Sequence, residues 1–410
     1  MRRIRPTRHP SPRGTAAAQP VQISGNVASG FEAVQYVFGE NFAQREELGA
    51  AFAVSIDGAL VVDLWGGVAD PSGTRLWERD TLQVIFSGTK ALVALCLLML
   101  VDRGQLDLSA PVRRYWPEFA ARGKEATRVI DLASHRARVP GFATAVSEED
   151  LVDDVRMAAL LAEQPQDDDP RAGDVYHALT YGWLCGEVIR RVDGRSVGRF
   201  FADEVARPLD LEIWIALPAE LEKRVSTLRY APSWTPPSWW DAETLRSDGL
   251  LARVWNNPPL LPRDHLPSNR SDWQRAEIPG AGGIATARSM ARLYDCLAHG
   301  GALDGTRLLS AKTLAVGCRE VTRRWEPLLG EPQAFAVGIQ LQTERHAFGP
   351  PPDAFGHGGA GGSVHCAWPS HRVGISYAMN ALRNDDTDPR ARALLTALYE
   401  AVTRYRCRPR

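Results

Sequence analysis

Eleven consecutive residues, Ala91 to Val101, carry no charged or strongly polar side chain. A bilayer needs roughly 20 such residues, so this run reads as a helix buried in a protein core. Lys90, which leads into it, must then enter the protein body or lie at its edge. Lysine is scarce in this chain: four of 48 basic residues are lysine, at positions 90, 124, 223 and 312. Lys90 stands three residues after a serine, in Ser87-Gly88-Thr89-Lys90. On a helix that spacing puts both side chains on one face and brings an amine beside a hydroxyl. Desolvation lowers an amine's pKa until it can accept a proton, whereas a guanidinium stays protonated at any working pH. An arginine-dominated chain therefore has a chemical reason to keep lysine here, with Ser87 as nucleophile and Lys90 as its base. Ser87 also suits the N-cap of the helix, a role compatible with the first.

The remaining composition narrows the class. The chain has 410 residues, 44% of them hydrophobic, enough for one large core or two smaller ones. Its 48 basic and 49 acidic residues nearly cancel, so no global field favours nucleic acid or a membrane surface, and a small-molecule partner is expected. Six scattered cysteines, at 96, 185, 296, 318, 366 and 407, lack CxxC or ligand-like spacing and read as idle or buried thiols. Asp167-Asp168-Asp169 reads as a solvated loop rather than a metal site, since adjacent carboxylates point in different directions. Gly356, Gly358 and Gly361 match G-x-G-x-x-G but precede a strand-like run, which argues against a dinucleotide site. No metal and no cofactor are expected. The N-terminus is basic and rich in Pro and Ser with no apolar stretch behind it, so residues 1–24 are expected to be a disordered arm and the protein cytoplasmic.

Strand patterns occur at both ends of the chain. AFAVSIDGALVVDLW holds two apolar runs around Asp57-Gly58, which predicts a tight hairpin. FAVGIQLQ alternates Val337, Ile339 and Leu341, and RVGISYAMN alternates Val373, Ile375, Tyr377 and Met379. Asp388-Pro389 opens a final helix with Leu394, Leu395, Leu398, Tyr399 and Val402 on one side. The middle is helical, with LTYGWLCGEVIRRVDG ending at Gly194 and TARSMARLYDCLAHGG ending before Gly300. Residues 231–275 hold Trp234, Trp239, Trp240, Trp255 and Trp273 among many prolines and predict a long irregular insertion, either a cover over a pocket or a pinned surface loop. No G-x-S-x-G elbow occurs, which excludes the α/β-hydrolase route to an esterase.

With these segments in view, FSGTK resembles the Ser-x-x-Lys motif of serine β-lactamases, penicillin-binding proteins and their carboxylesterase and transacylase relatives. Tyr176-His177-Ala178 is similar to the family's second motif, which usually ends in Asn or Ser. His357-Gly358-Gly359 is similar to the third, where lactamases carry Lys-Thr-Gly and the esterase-like branch often has His-Gly-Gly or Trp-Gly-Gly. SHRARVPG and PGAGGIATARSMARLY extend the likeness over roughly residues 30 to 405, with Arg138 standing where relatives usually have glycine.

The resemblance implies an α/β (α+β) fold of the β-lactamase/transpeptidase type, an antiparallel sheet flanked by helices with an inserted helical subdomain. Residues 25–90 and 330–410 would form the sheet part and 91–329 the helical part. It further implies that Ser87 is the nucleophile, Lys90 the base and Tyr176 the proton relay. His357 would border the pocket with Gly358 and Gly359, and the backbone N–H groups of Ser87 and Ala360 would form an oxyanion hole. Loss of the cationic strand residue favours a small-molecule ester or amide over a β-lactam, with an alcohol or amine as a candidate acceptor and secondary-metabolite tailoring as a candidate setting. β-Lactamase or D-amino-acid peptidase activity is the alternative reading, and a non-catalytic scaffold the second. Oligomeric state is not legible in the sequence.

Overall fold

A computed structural model describes residues 21–236, 241–384 and 388–406. Strands β1 (Ile23–Val27), β2 (Gly49–Ile56) and β3 (Ala59–Gly67) open the chain, with helix α1 (Glu32–Gln44) between the first two. Asp57 and Gly58 both take positive φ, 50° and 83°, as a two-residue hairpin matched to strand twist requires. A short strand, β4 (Gln83–Phe86), leads into helix α2 (Thr89–Asp102). Helix α3 (Thr180–Asp193) closes on Gly194 at φ 91°, and strand β5 (Ile213–Ile215) follows. Next come α4 (Ala242–Ser247), α5 (Gly249–Trp255), β6 (Gly283–Ala285) and α6 (Ala287–Ala298). The chain ends with β7 (Thr322–Glu326), β8 (Glu331–Phe335), β9 (Gln340–Leu341), β10 (Phe355–Gly359), β11 (Ser363–Trp368), β12 (Val373–Met379) and α7 (Arg390–Arg406).

Nine of these strands form one antiparallel sheet in the order β1-β3-β2-β12-β11-β10-β9-β8-β7. β2, third in this order, pairs with β12, fourth, so the first and last thirds of the chain must meet before the sheet exists. Both of these interior strands are buried almost throughout because both faces are covered. One face presents Ala53, Ala378 and Gly374, small enough for α6 to lie close; a Cβ on Gly374 would meet the Ala291 carbonyl at 2.1 Å. The other face carries Phe52, Ile375, Tyr377 and Trp368, and Trp368 meets Tyr399 of α7 edge-on. Strands β5, β6 and β4 form a separate small antiparallel sheet beside α2. Helix α2 is buried from Thr89 to Leu100, as its unbroken apolar run dictates.

Several sequence expectations are corrected. Residues 1–20 of the expected N-terminal arm lie outside the described residues, but Ile23 and Ser24 are already in the edge strand, opposite Gly66 and Trp65. FAVGIQLQ is not one strand: Gly338, at φ 67°, turns the chain between β8 and β9, and Ala336 donates to the Ile339 carbonyl. The sheet's far edge begins at Thr322 rather than 330, and α6, expected in a helical region, packs on the sheet through its alanines. Residues 231–275 hold α4, α5 and two shorter turns of helix, with Asp241 and Asp248 as N-caps. Trp239 and Trp240 lie outside the described residues, as does Cys407. Asp167 and Asp169 are engaged by Arg253 and Arg171 rather than lying free in a loop.

Candidate active site

Strand β4 ends at Phe86, whose φ of 44° is left-handed without being glycine, a conformation that costs on the order of 1–3 kcal/mol. The strain turns the chain sharply, so Ser87 sits in the turn before α2 rather than within the helix. Two bonds lock that turn: Gly88 donates to the Ile85 carbonyl at 2.9 Å, and the Thr89 hydroxyl donates to the Phe86 carbonyl at 2.6 Å. Thr89 Oγ1 also accepts from the Gly283 N–H at 2.7 Å, tying the turn to β6. Ser87 remains half-buried at the rim.

Lys90, the second residue of α2, is fully buried. Its Nζ lies 3.2 Å from Ser87 Oγ, 2.7 Å from the Ala178 carbonyl and 2.7 Å from the Gly280 carbonyl. The two carbonyls converge because Gly182 of α3 presses on residues 279–280; a Cβ there would meet Gly280 N at 2.0 Å. Burial pushes the lysine pKa well below its ordinary 10.5. A neutral amine has two N–H donors and one lone pair. The carbonyls take both donors, which leaves the lone pair for the Ser87 hydroxyl proton. The arrangement fits a serine deprotonated by an adjacent base.

Tyr176 lies over this pair, with Lys90 Nζ 4.8 Å from its ring centroid. Burial pushes its phenol pKa up, and the Ser87 hydroxyl acts in the opposite sense. The ring stacks on Phe335 at 5.8 Å and on Trp255 of α5 at 6.5 Å. The second motif's third position is occupied by an alanine whose carbonyl, not its side chain, does the work by holding Lys90.

The third motif lies on the sheet face that looks toward α2. His357 and His365 are cross-strand partners there, as are Gly359 and Ser363. His357 Nδ1 donates to the Gly358 carbonyl at 2.7 Å, so its neutral tautomer presents an Nε2 lone pair that is buried and has no partner among the described residues. Its ring centroid is 6.3 Å from that of Tyr176, and burial lowers its pKa to about 3. Gly359 must be glycine, since a Cβ would meet the Ile85 carbonyl at 2.5 Å. The end of β10 thereby abuts the segment before Ser87. A Cβ on Gly358 would make only ordinary contact, with the Ser363 carbonyl at 3.8 Å, and Ala360 sits in the turn just past the strand.

Sequence reasoning missed four contributors. His365 packs against Gly88, whose Cβ position is 2.8 Å from the imidazole Cδ2. His135, at φ 60°, accepts from the His177 N–H at 3.1 Å, and its ring packs at a tilt against Tyr176 with centroids 4.7 Å apart. Glu326 accepts from the Tyr176 N–H at 3.0 Å. Thr89 is the fourth, and the only one a local pattern could have flagged, as a hydroxyl inside the Ser-x-x-Lys turn. Arg138, in the glycine position of its turn, keeps a glycine-like φ of 58° and donates to the Asp167 and Asp169 carbonyls at 2.8 Å each.

A family model described as Beta-lactamase matches residues 35–399. A relative described as "Esterase/beta-lactamase LipL", from Mycobacterium tuberculosis (strain ATCC 25618 / H37Rv), is 32% identical over 375 residues, 87% of this chain and 82% of its own length. Among solved structures, a family VIII carboxylesterase matches with a TM-score of 0.84 at 37% identity, over 93% of this chain and 100% of its own. A penicillin-binding protein homolog from Caulobacter crescentus matches with a TM-score of 0.84 at 36% identity, with the same coverage.

Proposed function

The chain belongs to the Beta-lactamase family, and from that premise we propose that it is a serine ester hydrolase working through an acyl-enzyme on Ser87. The observation that carries this reading is the set of three partners around Lys90 Nζ, two carbonyls and the Ser87 hydroxyl. As Ser87 Oγ attacks the ester carbonyl, its proton passes to the Lys90 lone pair. The oxyanion is held by the N–H groups of Ser87 and Ala360, each worth roughly 3 kcal/mol in the transition state. Tyr176 carries the proton on to the departing alcohol and guides the return step, in which water releases the acid and restores Ser87.

Ester rather than lactam chemistry is favoured by His357. It stands where lactamases have a lysine and stays neutral, so it offers no cation to a β-lactam carboxylate. The carboxylesterase likeness at 37% identity points the same way. Transfer of the acyl group to an alcohol or amine is the second reading, favoured by the apolar wall that Leu250, Leu251, Val254 and Trp255 build against Tyr176. A chromogenic short-chain ester, nitrocefin and a fluorophosphonate probe test these readings together. Ester turnover and labelling are expected for the wild type and neither for Ser87→Ala. Equal behaviour of the two would support a non-catalytic scaffold, and nitrocefin turnover exceeding ester turnover would support a lactamase. Finding only free acid across a range of acceptors would exclude transfer.

A further inference from the structure

The side chain that acts on substrate at Tyr176 is held by almost nothing of its own. Its hydroxyl makes no hydrogen bond of regular geometry among the described residues. The ring is guided by contacts to its faces and edges, stacked on Phe335 and Trp255, tilted against His135 and His357, with Lys90 Nζ 4.8 Å from its centroid. Its orientation must therefore come from the backbone of residues 176–178, which lies in an irregular segment ahead of α3. That segment is suspended from outside: Glu326 accepts the Tyr176 N–H, His135 Nδ1 accepts the His177 N–H at 3.1 Å, and the Ala178 carbonyl binds Lys90.

Glu326 is the unexpected member. It is the last residue of edge strand β7 and is fully buried. A buried carboxylate is costly unless its lone pairs are satisfied. Here one oxygen accepts from Tyr176 N–H at 3.0 Å, and the other accepts from the N–H groups of Leu328, at 2.8 Å, and Leu329. Leu328 and Leu329 form the β7–β8 turn, so the carboxylate welds that turn to the tyrosine's backbone. Arg324, two residues earlier on the same face, donates to the carbonyls of His135 at 3.0 Å and Gly173 at 3.1 Å. Strand β7 thus grips both chain segments that surround the tyrosine. Three N–H groups divided between the two oxygens of one side chain need a group that accepts at both positions and carries no donor of its own. Glutamine could serve only part of that set, because its NH₂ would face an N–H.

We infer that Glu326 is a positioning residue for Tyr176, setting the phenol's place over Ser87 and Lys90 through the backbone and not through contact with substrate. The inference rests on the proton-relay reading of Tyr176 given above. Misplacement of a reacting group by a fraction of an ångström costs turnover more than binding.

The test is a double-mutant cycle between Glu326→Gln and Tyr176→Phe, read as kcat and KM on a chromogenic ester with folding checked by circular dichroism. In the wild-type background Glu326→Gln is expected to lower kcat on the order of 10-fold with KM changed less than about twofold. In the Tyr176→Phe background it should have no further effect, because the group it positions is gone. Should Glu326→Gln fail to fold, Glu326→Asp enters the same cycle. An equal loss in both backgrounds, or an unchanged kcat in the wild-type background, overturns the inference and leaves the Tyr176 reading standing. Wild-type turnover by Tyr176→Phe overturns that reading and the inference together.

Discussion

At the residue scale, the proposed chemistry turns on Lys90. Its two carbonyl partners would suit an ammonium or an amine, but full burial favours the amine. Lys90→Arg should lower kcat by on the order of 10³-fold or more, no better than Lys90→Met, because a guanidinium cannot accept the serine proton. Steady-state ester hydrolysis checks this, and Lys90→Arg activity near wild type would exclude lysine as base. The same depressed pKa has a stability signature. Between the folded lysine's pKa and 10.5 the unfolded chain holds a proton that the folded chain lacks. Stability contributed at this site therefore rises with pH across that window and levels off above it. Denaturant titrations should find the wild type gaining on Lys90→Met as pH rises toward 10.5. Ser87 and Lys90 were legible because their contact is three residues long. Glu326, His135 and the Gly283 end of Thr89's bond were not, since their partners lie 150, 42 and 194 residues away and nothing in the local pattern marks them.

At the element scale, α4 and α5 form a wall rather than a loop. Asp248 caps α5 through the Leu251 N–H and also takes a two-point ion pair from Arg171. Arg253 of the same helix reaches Asp167 at 2.7 Å. These pairs are a third exposed on the arginine side, so each contributes less than about 1 kcal/mol, and the apolar packing of Leu250, Leu251 and Val254 carries the attachment. Trp255→Ala should widen the space beside Tyr176 and raise kcat/KM for bulky acyl esters relative to acetate several-fold. A ratio unchanged across acyl lengths would show that α5 does not bound the acyl group. Tryptophan and proline composition hid these helices, although Asp241 and Asp248 stood in the sequence as cap signals. The opposite error, one strand read through residues 335–342, came from an alternation that survives a turn at Gly338.

At the scale of the whole molecule, the sheet joining both chain ends was readable from hairpin and alternation signals, while its nine-strand order was not, because register between distant strands leaves no local trace. The fold also buries four histidines, 135, 177, 357 and 365, each with a pKa lowered by desolvation, to about 3 for the last three. They stay neutral in the folded chain but take up protons near 6.5 once unfolded. Stability is therefore full above pH 6.5 and falls as pH drops below it, by up to about 1.4 kcal/mol per pH unit for each histidine. Denaturation midpoints from pH 8 to 4 should show this decline, and a flat profile would exclude neutral burial. The most direct measurement of the reaction itself is intact mass spectrometry of the whole chain quenched during turnover of an activated ester. The expected result is a mass increase equal to the acyl group, mapped to the peptide holding Ser87 and absent from Ser87→Ala. Turnover of the ester by Ser87→Ala, or an adduct on any other residue, would contradict an acyl-enzyme at this serine.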